Sequence, residues 1–365
     1  MGDVWDIVSW SLEHLYLGVW PAKGHRNLDW PAGSAEAALA GKPLAEGYFC
    51  VLWLIKGDFD YFFKALGLRS YNSNKPCDWC PCDKDGGQAY WPTNFDATSM
   101  WMKKLYKPHE WRALYMSLHR IFKMPFISNL NVEPDELHVV HLGTSMYFLG
   151  SVLWLLTFRV GPKSMDVVWE RVKHWYAELG IPTQFSSLAV SSFCDPKSPR
   201  SHYPKLKGKG MEVKWLVPVL TNVWEECVPE DTALNFRVRE VFHSQCQVQA
   251  IVDEHAHELF LPPGKSVLLR RAVDNILEKY TQLALAADED HELLFNMPYK
   301  FHALWHWAHR SQYLCPRRGA CLIDEDFVGQ LKHTGQACLD GTQLHAAVIK
   351  IMTKYRWGKS LVDSN

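Results

Sequence analysis

Residues 48–66, YFCVLWLIKGDFDYFFKAL, read as a buried strand, an acid at its carboxyl end, and a helix. The run 48–55 is apolar, β-branched and aromatic, as a strand covered on both faces tends to be. It stops at Lys56-Gly57-Asp58, and 59–66 then spaces its apolar residues as a helix does. In open α/β sheets, sites form beyond the carboxyl ends of strands, so Asp58 stands where a functional carboxylate is expected. Residues 4–12, VWDIVSWSL, are expected to supply a further buried strand. Between the two runs, 21–47 is rich in Gly, Pro and Ala and reads as loop with a short helix at 34–40.

Downstream of Asp58 lies Cys77-Asp78-Trp79-Cys80, with Pro76 before it and Pro81-Cys82 after it. The prolines favour a tight turn with both sulfurs on one side. A zinc half-site, a redox pair and unligated packing all fit such a knuckle. The redox reading needs a helix to start at the motif, and 83–87 is not helix-like. Cys82 is an alternative ligand to Cys80. Far along the chain, His302 and His306 are four apart and share one face of a helix. Ala303 follows His302, so the metalloprotease pattern with its Glu is absent. Two thiolates and two imidazoles together make a closed tetrahedral zinc site. Such a site would also bring together the regions of Asp58 and Glu325, and paired carboxylates suit divalent-cation phosphoryl transfer.

The chain between these half-sites reads as helical at 99–107, 108–123, 138–158, 165–178, 213–227, 232–259, 265–287 and 293–307. Residues 193–209, FCDPKSPRSHYPKLKGK, form an expected basic, Pro-rich exposed loop. The closing section, 319–357, carries Asp324-Glu325-Asp326, a helix with Lys332, and a further helix at 344–355. The expected organisation is therefore α/β but helix-rich overall, in three parts. Residues 1–92 hold the first part of the core with the Cys knuckle, 93–300 form a helical insertion, and 301–365 pack back on the core.

The 365 residues carry a net charge of −1, so any nucleic-acid surface must be a local patch rather than a global field. Ten irregularly spaced cysteines and an N-terminus without an apolar signal core favour reduced thiols in the cytosol or nucleus over secretion. Residues 142–158 run without a charge but fall short of the ~20 residues a spanning helix needs. A buried core helix is the expected form, and no membrane partner is expected.

Two other clusters bear on metal binding. In Asp135-Glu136-Leu137-His138-Val139-Val140-His141, Asp135 and His138 share a helical face. Ligation, a hydrogen bond to a ligating side chain or a helix cap by Asp135 after Pro134 all fit, the cap being the cheapest. Asp253-Glu254-His255-Ala256-His257-Glu258 sets its histidines two apart, on different helix faces, as a solvated surface would.

Together these elements resemble the DDE transposases of the CACTA (En/Spm-like) group and the related recombinase core that rearranges antigen-receptor genes. The likeness rests on an acid at a strand end, Cys-x2-Cys, a long helical insertion, His-x3-His, and a Glu opening a helix. The segments GDFDYFFKALGL, KPCDWCPC, DELHVVHLGTSMYFLGSVLWLL, KFHALWH and DEDFVGQLKHTGQACLDGT look like transposon-derived proteins abundant in dinoflagellate genomes. The resemblance implies an RNase H-like core in which three carboxylates bind two Mg2+ or Mn2+ ions for DNA strand cleavage and transfer. It implies Asp58 as the second acid, Glu325 as the third, and structural zinc on Cys77, Cys80, His302 and His306. Asp60 and Asp324 are the neighbouring alternatives.

The first acid should lie on a strand before VSWSL, where only Asp3 and Asp6 stand, so that strand is expected to be missing and activity weakened. The competing expectation is an inactive, zinc-stabilised DNA- or protein-binding module. The implied partners are DNA at transposon ends and further copies of the chain, with nuclear localisation. Lys205, Lys207 and Lys209 in the basic loop are the expected phosphate contacts.

Overall fold

Asp58 does end a strand and open a helix, but the strand is short and the sheet small. A computed structural model describes residues 2–339, 343, 346–347 and 349–354. In chain order it contains α1 (Gly2–Leu17), α2 (Ala35–Leu39), β1 (Ile55–Gly57), α3 (Phe59–Leu66), α4 (Pro108–Tyr115) and β2 (Val132–Pro134). A π-helical segment, Leu137–Ser145, leads into α5 (Met146–Phe158). Then come α6 (Met165–Glu178), α7 (Gly210–Cys227), α8 (Ala233–Glu254), α9 (Pro263–Glu289), α10 (Lys300–Arg310) and α11 (Leu322–Leu339). The chain is 55% helical and 3% strand, so helix packing rather than a sheet organises it. It divides into two compact units, Met1–Gly319 and Ala320–Asn365.

Among the described residues the named strands form one two-stranded sheet, in which β1 and β2 run parallel with Ile55 opposite Val132 and Gly57 opposite Pro134. Residues 48–54 stay outside this ladder. Their side chains alternate outward instead, with Tyr48, Phe49, Val51 and Trp53 exposed, and Asn131 Nδ2 holds the Leu52 and Trp53 carbonyls.

Residues 4–12 are helix, not strand. Their apolar run continues without Gly or Pro to Leu17, a length that favours helix over strand. Trp5 and Leu12 turn toward the core while Val4 and Ile7 face out. Gly18, at φ +66°, takes the left-handed conformation that stops this helix, its N–H donating to His14 O at 3.0 Å.

Residues 99–107 also depart from the helical expectation. Pro108 forces Lys107 into extended backbone (ψ 155°), and Trp101 donates its indole N–H to Trp91 O at 3.0 Å. The expected helix at 108–123 stops at Tyr115 and is followed only by a short 3-10 turn at Arg120–Lys123, the one at 293–307 becomes helical only from Lys300, and α6 covers the expected residues. Of the expected helix at 344–355, the described residues 346–347 and 349–354 are helical.

The core of the first unit centres on α5, which is buried on nearly every side. The segment Leu137–Phe158 is long and apolar enough to cross a membrane, but 83% of its most apolar window is buried inside the protein. It packs as a core helix against α6 and α7. Gly150 on α5 serves a close approach: a Cβ there would sit 2.9 Å from the backbone of Lys205 and Leu206. That contact, with Leu206 N–H donating to Met146 O at 2.9 Å, fixes the basic loop against the core. Helices α8 and α9 pack along one another, and α10 packs on α9, on the π-helical segment and on β2.

A buried ion pair fastens α10 to β2. Arg310 Nε donates to Glu133 Oε2 at 2.6 Å and Nη2 to Leu130 O at 2.9 Å, with Glu133 1% exposed. Removing one partner of a buried pair strands the other charge and costs about 3–5 kcal/mol. Arg310→Met is therefore expected to lower unfolding free energy in urea by about 3–5 kcal/mol, and adding Glu133→Leu to recover much of it. A single-variant loss under about 1 kcal/mol would show that water already reaches the pair.

Candidate metal centre and the acid-bearing cavity

The knuckle is shaped by buried polar contacts around it. Asp78, between the two cysteines, accepts from Arg69 N–H at 3.1 Å and Tyr115 O–H at 2.6 Å. Arg69 Nη1 donates to Cys77 O at 2.8 Å, and the Trp79 indole N–H donates to Val132 O at 3.1 Å, tying the turn to β2. Trp79 N–H reaches Cys77 Sγ at 3.2 Å, a donor that steadies a thiolate. Burial pushes the Asp78 carboxyl up to about 7, against the pull of Tyr115 and Arg69.

Cys77, Cys80 and Cys82 are all fully buried, and His302 and His306 on α10 meet them. Cys77 Sγ lies 3.4 Å from His306 Nε2, and Cys80 Sγ lies 3.4 Å from His302 Nε2. The two Nε2 atoms are 3.1 Å apart. His302 Nδ1 sits 2.8 Å from Pro92 O, so that nitrogen carries the proton and Nε2 keeps its lone pair for the cluster. The Trp101 ring packs on His302 at a centroid distance of 4.1 Å.

The ligand atoms of Cys77, Cys80, Cys82 and His302 all lie within 4.8 Å of one another. This buried cluster can hold a metal ion such as zinc. His306 adjoins it through Cys77 and His302, so five donors meet where a tetrahedral ion takes four. Cys82, expected only as a substitute for Cys80, is present beside it.

Electrostatics agree with a cation-binding role. Burial alone raises the Cys77 thiol, but hydrogen bonds from Cys80 and Cys82 and the nearby His306 and His302 bring it well below its ordinary value. Burial and the neighbouring Cys77 raise Cys80, and the Cys77 contact raises Cys82. Three buried thiols cannot ionise together without a cation among them. Burial also lowers His306, keeping its imidazole neutral, as a ligand must be.

Asp58 has a neighbouring acid that the sequence reading did not pair with it. Because β1 and β2 are parallel with Gly57 opposite Pro134, the next residues in register are Asp58 and Asp135. Both strands thus deliver an acid at adjoining carboxyl ends. Asp58 caps α3, accepting from Tyr61 N–H at 2.5 Å. Asp135 caps the π-helical turn, accepting from Leu137 N–H at 3.0 Å and His138 N–H at 3.1 Å, and its carboxylate also meets His138 Nδ1. The cap reading and the Asp135–His138 pairing both hold. Asp60, with Asp58 and His138, lines a cavity of about 330 Å3, and its carboxylate pairs with Lys64 at 2.7 Å. Glu325 lies on α11, in the other unit, and its side chain is outside the described residues.

Of the three loop lysines, Lys205 enters the cavity, whereas Lys207 Nζ donates to Ser191 O and Lys209 is the N-cap of α7. Lys300 also lines the cavity and donates to Leu142 O. Burial pushes its ammonium down to about 8; Lys205 lowers it further, and Asp135 and Asp58 oppose the shift. Residues 253–258 hold no metal cluster: Asp253 pairs with Lys214 at 2.7 Å and Glu254 with Lys265 at 2.5 Å.

Sequence reasoning missed the Asp58–Asp135 pairing and Lys300. A signal for the pairing existed, since Ile55-Lys56-Gly57-Asp58 and Val132-Glu133-Pro134-Asp135 are both short runs ending in an acid before a helix. Comparison with family models, with curated proteins and with solved structures finds no match for this chain.

Zinc content tests the centre. Purified protein is expected to carry about one zinc per chain, as a single tetrahedral site would. Cys77→Ser and His306→Ala should each lose the metal and melt well below the parent, because metal affinity is part of the folding free energy. Metal-free protein with an unchanged melting point would overturn this reading.

Proposed function

We propose that the protein is a zinc-fastened phosphodiester enzyme of the DDE transposase type, with DNA as substrate. The observation that carries this reading is the parallel register of β1 and β2, which, continued one residue past Gly57 and Pro134, runs through Asp58 and Asp135, the two acids that both act on Lys300. Adjacent carboxylates are the donor set a hard divalent cation takes. On this reading β1 and β2 are the centre of an RNase H-like sheet. Asp58 and Asp135 are assigned as two of its acids. DNA at transposon ends, self-association and a nuclear location follow from this assignment.

Zinc is assigned to Cys77, Cys80, His302 and His306. Bonds of about 2.3 Å to sulfur and 2.0–2.1 Å to nitrogen around a tetrahedral ion set S···N near 3.5 Å and N···N near 3.3 Å. The separations of 3.4, 3.4 and 3.1 Å between these atoms lie close to those values. We favour this set over one with Cys82 because the two histidines share a helix face and both aim Nε2 inward. The role is structural: the site is closed and fully buried.

Mg2+ or Mn2+ held by Asp58 and Asp135 would activate a water or a 3′-hydroxyl and stabilise the leaving oxygen. The protein's own groups prepare the site. His138, held by Asp135, is placed to carry a proton at the cavity wall. Lys300 offsets the charge of both acids when no cation is bound.

One observation favours the alternative, an inactive zinc-stabilised DNA- or protein-binding module. Both carboxylates already accept backbone N–H groups as helix caps, which leaves fewer lone pairs for a cation. Nicking of supercoiled DNA decides between them. Active protein should nick with Mg2+ or Mn2+, and Asp58→Asn or Asp135→Asn should reduce the rate by about a hundredfold or more. Wild-type protein with full zinc and no nicking activity would favour the binding module.

A further inference from the structure

Opposite Asp58, the same cavity presents two ammonium groups. Lys300 opens α10, and Lys205 reaches in from the loop that Gly150 allows to lie against α5. Lys205 Nζ lies 5.2 Å from the centroid of the Tyr147 ring, and Lys300 Nζ donates to Leu142 O. Among the described residues neither ammonium stands in an ion pair. Both ammonium groups line the one cavity and bring two positive charges to it. Lys205 is exposed, so its ammonium is accessible to a ligand. An anion between the two ammonium groups would pair with both.

The rest of the lining narrows the anion. Tyr71, 37% exposed, lines the cavity, with its ring in a T-shaped contact with Phe59 at 6.4 Å. A ring face beside a cationic wall is how single-stranded nucleic acid is held, base on aromatic and phosphate on lysine. The volume of about 330 Å3 suits a small ligand such as one nucleotide unit. Asp58, Asp60 and His138 complete the charged lining, so a bound phosphate would lie between the lysines and the acids.

We propose that this cavity is a nucleotide-binding site, with Lys205 and Lys300 on the phosphate and Tyr71 beneath the base. The site takes one nucleotide unit of a single strand rather than duplex DNA, because Tyr71 can stack only on an unpaired base. This deepens the phosphodiester reading by naming the unit bound, and rests on that reading only for the role of the divalent cation.

Calorimetric titration of the zinc-loaded full chain with thymidine monophosphate, without added Mg2+ or Mn2+, tests it. Saturable binding is expected, with thymidine about tenfold or more weaker because it lacks the phosphate. Lys205→Met, Lys300→Met and Tyr71→Leu should each weaken binding about tenfold, and Lys173→Met on α6 should leave it unchanged. Lys205 and Tyr71 are exposed enough to be replaced without harm to folding, so a misfolded Lys300 variant does not spoil the test.

No saturable binding, equal binding of thymidine, or indifference to Lys205→Met would each overturn the proposal. Inorganic phosphate binding as tightly as the nucleotide would overturn the role of Tyr71. Nucleotide binding that depends on Lys205 in a protein that never nicks DNA would sink the phosphodiester reading and leave this one standing.

Discussion

The docking of α10 onto the Cys knuckle holds the first unit together. One helix face supplies His302 and His306 to the sulfur cluster, the helix end sends Arg310 into Glu133, and its start places Lys300 in the acid-bearing cavity. Each contact joins residues far apart in sequence, so each closes a long loop whose entropy must be offset. A metal ion with four buried ligands is well suited to that task, since its binding free energy is folding free energy.

This fastening also explains how so small a sheet keeps its geometry. Three residues in each strand are too few to be stable alone. β2 is held from outside: Glu133 by Arg310, Val132 by the Trp79 indole, and Asp135 by the turn it caps. The knuckle, α10 and the paired acids are therefore one mechanical assembly. Loss of the cluster should disturb the cavity even though no cluster ligand lines it.

The sequence made the candidate metal ligands legible because their chemistry is local: two cysteines three apart, two histidines one helical turn apart, prolines marking the knuckle. Helices such as α6 and α9 were legible from apolar period and caps. Strand order was not. Val132-Glu133-Pro134 carries no strand pattern, since three residues cannot show an alternation, and that it lies parallel to Ile55-Lys56-Gly57 is a property of the folded backbone. Residues 4–12 misled because Trp, Val and Ile favour strands by propensity, whereas the run's length and packing made it α1. Lys300 escaped notice because a lysine at a helix start is ordinary until the loop bearing Lys205 folds against it.

The central claim is that Cys77, Cys80, His302 and His306 share one zinc ion. X-ray absorption at the zinc K edge of the purified protein measures this directly. The account predicts a four-coordinate shell of two sulfurs at about 2.3 Å and two imidazole nitrogens at about 2.0 Å. A shell of three sulfurs and one nitrogen would move Cys82 into the site and His306 out of it, and a shell with oxygen ligands, or no zinc at all, would contradict the account.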